Sequence, residues 1–264
     1  MADFNVIIPS DIFSDIPNLR EKTVRIANFV RIINLFRVKR LIIFHHHKQD
    51  KEFELLLDFF LTPSYLRKFK FKLDRRLRFT GCAPPIRAFY ESWKEKRIGI
   101  IIDYDPINNI SKIEAGLSNQ IKIRTNKNLV GKIITVKKIE KNWEICSENT
   151  PEEIIKPIFI KNITQFLNNL NRETILIIST SRKGKMINLN LLNELNQKIK
   201  KVNEIFFVFG SPKEGLYEIY KEIGENLEDL SDYVLNLFPN QGIETIRTDE
   251  AIFGTLSIFN ILRS

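Results

Sequence analysis

The sequence predicts an α/β protein built on a parallel sheet, with a smaller β domain inserted into it. Short apolar runs alternate with amphipathic segments of helical period in both the N-terminal and the C-terminal part of the chain, and this alternation favours a parallel sheet. Between them, short β-like runs are separated by turn residues. We therefore predict a discontinuous α/β domain of residues 1–87 and 158–264, and an inserted β domain of residues 88–157.

The N-terminal part contains two predicted strands, residues 4–8 and 41–44, and two predicted helices. The first helix should begin at Asn18, because Glu21 follows three residues later in a capping-box arrangement. The second should cover residues 51–61. Apolar residues at helical spacing predict the buried face of the first helix, which comprises Ile26, Phe29, Val30, Ile33 and Phe36.

The C-terminal part repeats the alternation. Its predicted strands are residues 175–179, 205–209 and 233–237, and its predicted intervening helices are residues 189–199 and 215–223. A last helix should have Thr248 as its N-cap, with Asp249 and Glu250 in the first turn, where the helix dipole favours carboxylates. The residues expected to be buried on that helix are Ile252, Phe253, Leu256 and Phe259. In the insertion, strands are predicted at residues 98–103, 120–124, 129–136 and 143–146.

Charge and composition indicate a polyanionic partner. The chain has 41 Lys and Arg against 32 Asp and Glu, which gives a net charge of +9. Such a balance favours nucleic acid, although a basic protein without a nucleic-acid function has the same composition. Two cysteines far apart do not form a disulfide framework or a zinc site. No apolar run approaches the ~18 residues of a membrane-spanning helix, so we expect a cytoplasmic protein with no membrane partner.

The loops that follow the C-terminal strands are the predicted ligand site, because ligands of open parallel sheets bind at the carboxyl ends of the strands. These loops are residues 180–184, 210–215 and 239–242, and they contain four of the ten glycines in the chain. Glycine allows the backbone to approach a ligand closely, but it is also common in ordinary turns. Both interpretations remain open for these loops taken alone.

Several familiar enzyme motifs are absent from the sequence. We find no glycine-rich dinucleotide fingerprint, no phosphate-binding Walker loop and no G-x-S-x-G nucleophile elbow. His45, His46 and His47 are consecutive at the end of a predicted strand. Three neighbours on an extended chain do not readily share one tetrahedral ion, so we predict a polar strand end and no metal.

Residues 67–87 are the predicted RNA-binding segment. Cations alternate there with phenylalanines and leucines, a pattern that allows phosphate contacts and base stacking. The alternative is an amphipathic segment whose phenylalanines face the core while solvated charges cover them. The predicted RNA ligands are Arg75, Arg76, Arg78 and Arg87.

Three blocks of sequence carry a family resemblance. Residues 236–251, NLFPNQGIETIRTDEA, resemble the signature of SPOUT-type RNA methyltransferases, in particular the branch that methylates uridine N3. Residues 8–23 resemble the N-terminal motif of that branch, and residues 81–87 resemble its Gly-x-x-Pro-Pro-x-Arg loop. That branch tends to continue with Thr-Pro-His-His, whereas residues 88–91 here are Ala-Phe-Tyr-Glu, so a role for histidines at that place is absent.

The resemblance implies a fold, a cofactor and a partner. The fold would be a SPOUT-type α/β trefoil-knot domain with a parallel sheet, interrupted by a small OB-like β-barrel. The protein would be a homodimer that uses S-adenosyl-L-methionine to methylate N3 of a uridine in RNA, with ribosomal RNA as the expected substrate. The implied cofactor-binding residues are Thr180, Gly210, Leu237, Asn240, Gly242, Ile246, Thr248 and Ala251.

Uridine N3 must lose a proton before it can accept a methyl group, so a carboxylate and guanidinium groups are the expected catalytic groups. The candidates are Glu250 as the base, and Arg247 and Arg31 as orienting groups. Glu250 in a first helical turn also suits a purely structural role. Two other functions remain: a catalytically inactive RNA-binding module of the same fold, and an unrelated α/β enzyme that acts on a small anionic substrate.

Overall fold

The computed structural model describes residues 1–47, 50–88, 94–140, 142–149, 151 and 154–263. The chain divides into two compact units, one of residues 1–54 with 155–264 and one of residues 55–154. The first boundary between the units, after Glu54, thus lies before the predicted boundary at residue 87. The reason is that Leu66 is fully buried in a cluster with Ile98, Ile100 and Ile154 of the insertion, so the segment before residue 87 packs with the smaller unit.

The larger unit contains a six-stranded sheet and most of the helices. Its strands are β1 (Asp3–Pro9), β2 (Arg40–Phe44), β8 (Pro157–Ile160), β9 (Ile175–Met186), β10 (Glu204–Val208) and β11 (Tyr233–Asn236). Its helices are α1 (Leu19–Leu35), α4 (Ile163–Asn168), α5 (Leu189–Ile199), α6 (Leu216–Glu222), α7 (Leu227–Leu230) and α8 (Thr248–Leu262). Helix α2 (Lys51–Leu61) contains the division between the units.

All strand pairs in the large sheet are parallel, and the order is β11-β9-β10-β1-β2-β8. Central strand β1 pairs with β10 on one side, where Phe4 lies opposite Ile205, and with β2 on the other, where Val6 lies opposite Leu41. These strands are almost completely buried. Near-continuous apolar strands are what a parallel sheet covered on both faces requires, so the predicted α/β class with a parallel sheet is confirmed.

Helices cover both faces of this sheet. On one face, Ile177, Phe206 and Val208 pack with Leu216 and Tyr220 of α6, together with residues of α4 and α7. On the other, the ring of Phe207 lies 4.9 Å from the ring of Phe259 in α8, and α8 contacts both α1 and α5. The five residues predicted for the buried face of α1 and its C-cap are all buried.

The smaller unit is built on a five-stranded antiparallel sheet. Its strands are β3 (Lys96–Asp105), β4 (Ile110–Glu114), β5 (Ile121–Arg124), β6 (Ile133–Ile139) and β7 (Asn142–Ser147), in the order β5-β4-β3-β6-β7. Ile101, Ile113, Ile134 and Val136 form the centre of its core. Before this sheet, the described residues form 3₁₀ turns at Ser64–Leu66, Arg75–Leu77 and Thr80–Cys82, and the short helix α3 (Arg67–Lys70).

Several details differ from the sequence predictions. The short helices α4 and α7 were not predicted, and β6 begins at Ile133, later than the predicted strand of residues 129–136. Strands β4 and β8 were not predicted. In β4 burial alternates regularly, but one of the buried residues is Ser111, so apolar residues do not alternate in the sequence; β8 begins at a proline on the sheet edge. Phe253 is 47% exposed, although its ring contacts the ring of Phe36. Thr248 is the first helical residue, and the N-cap is Arg247. No helix among the described residues is long and apolar enough to cross a membrane.

Gly184 allows β9 and β11 to lie close together. A Cβ at this position would lie 2.7 Å from the carbonyl oxygen of Val234 and 2.9 Å from the carbonyl carbon of Leu235, both of them backbone atoms. We predict that Gly184→Ala lowers the free energy of unfolding by about 1–3 kcal/mol, the usual cost of overpacking. Urea denaturation measures this loss. Gly242→Ala is the control, because no atom lies within 4 Å of a Cβ there, and equal losses in both variants would contradict the explanation.

Candidate functional site

A cleft lies at the carboxyl ends of β9, β10 and β11, in the larger unit. Its volume is about 330 Å³, within the range typical of small-molecule sites. The lining residues come from the loops after the three strands and from the start of α8. Six of the eight predicted cofactor-binding residues line it: Thr180, Gly210, Leu237, Ile246, Thr248 and Ala251. Asn240 and Gly242 lie in the same loop but are not among the lining residues; Asn240 has a left-handed backbone with φ of 60°.

The first loop is an interruption within a long strand. In the pairing of β9 with β11, Ser179 lies opposite Val234, and the next pair joins Lys185 to Leu235. Residues 180–184 are therefore not paired with β11, and residues 180–183 line the cleft. The Thr180 hydroxyl donates to the carbonyl of Val208, 3.1 Å away, and so ties this loop to the end of β10.

The second loop, residues 210–215, is a compact turn. Ser211 Oγ accepts from the backbone N–H of Glu214 at 3.0 Å, and Ser211 N–H donates to the carbonyl of Glu214 at 2.9 Å. Gly210 is required for this turn, since a Cβ there would lie 2.9 Å from the carbonyl oxygen of Glu214. The hydroxyl of Thr248 donates to the carbonyl of Gly210 at 3.2 Å. The hydroxyl that the sequence suggested as a helix cap thus joins α8 to the second loop.

The third segment runs from the end of β11 to α8 and is tied to the first loop. Asn236 Nδ2 donates to the carbonyl of Arg182 at 3.0 Å, and Arg182 Nη1 donates to the carbonyl of Glu244 at 3.1 Å. Gln241 Nε2 donates to the carbonyls of Ile243 and Glu244 at 2.7 and 2.8 Å. These bonds hold the segment in one conformation, so the cleft walls are largely preformed.

The lining is mixed in polarity. Leu237, Ile246 and Ala251 supply apolar surface, while Lys183 and Glu218 form an ion pair within the lining. The hydrogen bond from Lys183 lowers the pKa of the Glu218 carboxyl below its usual value. Glu218 is therefore a carboxylate at neutral pH, and this part of the cleft carries both charges.

A buried ion pair joins α1 to the first turn of α8. Arg25 Nε donates to Asp249 Oδ2 at 3.1 Å, a second bond joins Arg25 Nη2 to Asp249 Oδ1, and the two side chains are 13% and 11% exposed. The bidentate geometry fixes the start of α8, from which Thr248 and Ala251 reach the cleft. Sequence reasoning missed this pair, because Arg25 lies off the apolar stripe of α1 and its partner is distant in the chain.

The three predicted catalytic residues lie outside the lining of the cleft. The Glu250 carboxylate accepts from the backbone N–H of Arg247 at 2.9 Å, so it satisfies one free donor at the N-terminus of α8. Arg247 is exposed at the N-cap, one residue from Ile246 in the lining. Arg31 is exposed on α1. The structure thus supports the helix-terminal role for Glu250, and Arg247 and Glu250 are adjacent in sequence to the lining residues Ile246 and Ala251.

The predicted RNA-binding segment lies in the smaller unit. Arg75, Arg78 and Arg87 are exposed, and the guanidinium of Arg78 lies 4.8 Å from the centre of the Phe79 ring. Arg76 is different, because its Nε donates to Asp74 Oδ1 at 2.9 Å. This hydrogen bond lowers the pKa of Asp74 to about 2.

The rings of this segment are only half-buried, and Phe69 is 36% exposed, so they do not form a sealed core. Residues 89–91, where the sequence departs from the SPOUT pattern, lie outside the described residues.

Fold and cleft together define a class: an α/β protein with a preformed ligand site at the carboxyl edge of a parallel sheet. A family model described as "Putative RNA methyltransferase" matches residues 3–259. The chain therefore belongs to this RNA methyltransferase family.

The chain is similar to an uncharacterized protein of Halobacterium salinarum, with 24% identity over 96% of each chain, and to one of Haloarcula marismortui, with 22% identity over 97% of this chain and 98% of the relative. Among solved structures, it is similar to the SpoU methyltransferase AviRb from Streptomyces viridochromogenes, with 8% identity and a TM-score of 0.44. That match covers 99% of this chain but spans only 60% of AviRb.

The Arg25 and Asp249 pair offers a direct test of how α8 is positioned. Removing one partner leaves a buried charge uncompensated, so Arg25→Met alone and Asp249→Leu alone should each lower the free energy of unfolding by about 3 kcal/mol. The double variant should recover most of that loss, because two apolar side chains can pack in the same space. Urea denaturation of the four proteins completes the cycle. Additive losses in the double variant would show that the two side chains do not act as a pair.

Proposed function

We propose that this protein is an S-adenosyl-L-methionine-dependent RNA methyltransferase that methylates N3 of a uridine in ribosomal RNA. The observation that carries the proposal is the convergence of three strand-end loops on one preformed cleft in a chain of an RNA methyltransferase family. The N3 position and the ribosomal substrate derive from the resemblance of residues 81–87 and 236–251 to the uridine-N3 branch.

The residues of the cleft fit the proposed methyl donor. Leu237 and Ile246 offer apolar surface for a purine ring, and the Glu218 carboxylate offers an acceptor for polar or cationic groups. The turn at Gly210 leaves no room for a side chain, so a ligand meets backbone there. When bound, the donor supplies an electrophilic methyl group. Asn240 and Gly242 complete the proposed set from the loop that leads to Ile246.

The catalytic part of the proposal concerns one proton. Glu250 would accept the proton from uridine N3, while Arg247 beside it would stabilise the resulting anion. The Glu250 carboxylate has one oxygen on the Arg247 N–H, which leaves its other oxygen for this task. Arg31, exposed on α1, would contact the RNA backbone and help orient the base.

RNA contacts would extend to the smaller unit. Arg75, Arg78 and Arg87 are the proposed phosphate ligands, since their side chains are exposed. Arg76 would contribute less charge to RNA, because Asp74 already pairs with it.

We also propose an OB-like barrel for the smaller unit. The strand order is β5-β4-β3-β6-β7, and the two edge strands β5 and β7 contact each other, which supports this proposal.

Two further features of the proposal concern architecture. A trefoil knot would thread the segment after β11 through the preceding loops. Such threading requires these segments to be in contact, and the bonds from Arg182 to Glu244 and from Thr248 to Gly210 join them. A homodimer would cover apolar side chains exposed on α1 and α8, namely Leu35 (66%), Phe253 (47%) and Ile261 (74%).

The position of the donor is tested by Ala251→Arg. Ala251 lines the cleft from the first turn of α8, so a long cationic side chain there should occupy the site. Isothermal titration should show binding of S-adenosylmethionine and S-adenosylhomocysteine by the natural protein and a loss of at least about tenfold in affinity, roughly 1.4 kcal/mol, in the variant. Gln197→Arg is the control, since it adds the same charge at an exposed position on α5. Undiminished binding by Ala251→Arg would place the donor elsewhere.

The catalytic role of Glu250 can be separated from its structural role. Glu250→Gln keeps an oxygen that accepts from Arg247 N–H but removes the basic carboxylate, whereas Glu250→Ala removes both. We expect Glu250→Gln to keep its stability and to lose about 100-fold in methyl transfer, a typical contribution of a general base. Glu250→Ala should also lose about 1 kcal/mol of stability. The measurements are thermal unfolding and mass mapping of methylated nucleosides in ribosomal RNA.

Each outcome of that mapping has a clear meaning. Full activity in Glu250→Gln would restrict this carboxylate to the helix terminus. A methyl group on another atom or another RNA would overturn the proposed specificity but keep the enzyme class. RNA binding without any transfer by the natural protein would favour the catalytically inactive RNA-binding module.

A further inference from the structure

Four potential metal ligands converge beside the second loop of the cleft. They are His46 and His47, which follow β2, Glu214 in the loop after β10, and Glu222 at the end of α6. One ligand atom from each lies within 4.8 Å of the others. All four belong to the larger unit. Only the two histidines are neighbours in sequence, which explains why the sequence indicated no metal.

The distances suit a small cation. His46 Nε2 lies 3.1 Å from Glu214 Oε2 and 4.0 Å from Glu222 Oε2, and His47 Nε2 lies 3.0 Å from Glu214 Oε2. Four donors placed tetrahedrally about 2.0–2.1 Å from a zinc ion lie roughly 3.3–3.5 Å apart. Small side-chain rotations would therefore bring these atoms onto one ion.

His46 is held in the orientation that a metal ligand needs. It is 7% exposed, and its Nδ1 lies 3.1 Å from Asp11 Oδ1. Because a carboxylate only accepts, a neutral His46 ring in this orientation would carry its proton on Nδ1 and present the lone pair of Nε2 to the cluster. A carboxylate on the outer nitrogen of a ligand histidine is the usual support of a metal site.

The Nε2 atom of His46 is the unexplained group of this cluster. It is buried and has no hydrogen-bond partner among the described residues, although Glu214 Oε2 is near, because the contact lacks hydrogen-bond geometry. A buried polar atom without a partner is unusual and costs stability. Here Nε2 lies 3.1 and 4.0 Å from two carboxylate oxygens, so a cation placed between them would satisfy all three groups at once.

We propose that His46, His47, Glu214 and Glu222 bind one divalent transition-metal ion, with zinc as the preferred occupant. Two imidazoles and two carboxylates are a ligand set of borderline hardness that suits zinc. Four protein ligands complete a tetrahedron, so the site is structural and leaves no position for a reacting molecule. The ion would join the chain after β2 to the 210–215 loop, whose Glu214 also lines the cleft.

Metal binding is measured on the full chain after chelator treatment, by calorimetric titration with zinc chloride and by the visible spectrum of cobalt(II). We expect one equivalent of zinc, a tetrahedral cobalt spectrum and a rise in the unfolding temperature with zinc. Glu222→Gln and His47→Asn should each weaken zinc binding by at least about tenfold. Loss of a residue that only supports a ligand already lowers metal affinity about 10–100-fold, so loss of a ligand should cost no less. Asparagine is chosen because His47 has φ of 47°, which asparagine tolerates.

The controls are neighbouring residues of the same type. His45→Asn and Glu225→Gln alter exposed side chains outside the cluster and should leave zinc binding unchanged. The proposal is overturned if the natural protein binds less than one equivalent, or if the controls lose as much affinity as the cluster variants. Unchanged zinc binding in Glu222→Gln and His47→Asn would also exclude this site. None of these readouts depends on methyl transfer, so the result is independent of the proposed function.

Discussion

The parallel pairing of β9 with β10 on one side and β11 on the other is the constraint on which the cleft depends. Parallel strands end at the same edge of a sheet, so three adjacent strands deliver three loops to one place. The register break opposite Val234 turns residues 180–184 out of the ladder at that edge. Hydrogen bonds then join the loops: Thr180 to Val208, Thr248 to Gly210, and Arg182 to Glu244.

The surroundings of the cleft combine rigid packing with buried charge. The Arg25 and Asp249 pair joins the first turn of α8 to α1. The proposed metal ion would join Glu214 to the histidines that follow β2. The ion pair and His46 of the metal cluster are groups that are costly to bury unless they are paired. Their position around the loops, away from the hydrophobic centre of the sheet, indicates that they serve the geometry of the site.

Much of the fold could be predicted from the sequence, because the apolar periodicity of buried elements is strong. Helices at residues 51–61 and 189–199 have the predicted bounds, and the central strands lie within one or two residues of their predicted positions. The edge strand β8 was missed, since only one side of it is paired and its side chains are largely exposed.

Local signals also located the three loops. The eight proposed ligand residues came instead from the family resemblance, and six of them line the cleft. Partnerships between distant residues were not predictable. Nothing near Arg25 in the sequence indicates Asp249, and nothing near His46 indicates Glu222, because these contacts exist only once the sheet order is fixed.

The division of the chain has a consequence for how the protein folds during synthesis. Residues 55–154 are contiguous, so the smaller unit can form its core as soon as it leaves the ribosome. Strand β1 can pair early with β2, but its other side must wait for β10, since Asp3 lies opposite Glu204. Such non-local pairing slows folding and leaves apolar edges uncovered in the meantime. The N-terminal strands of the larger unit therefore complete their sheet only after the C-terminal part of the chain has been synthesised.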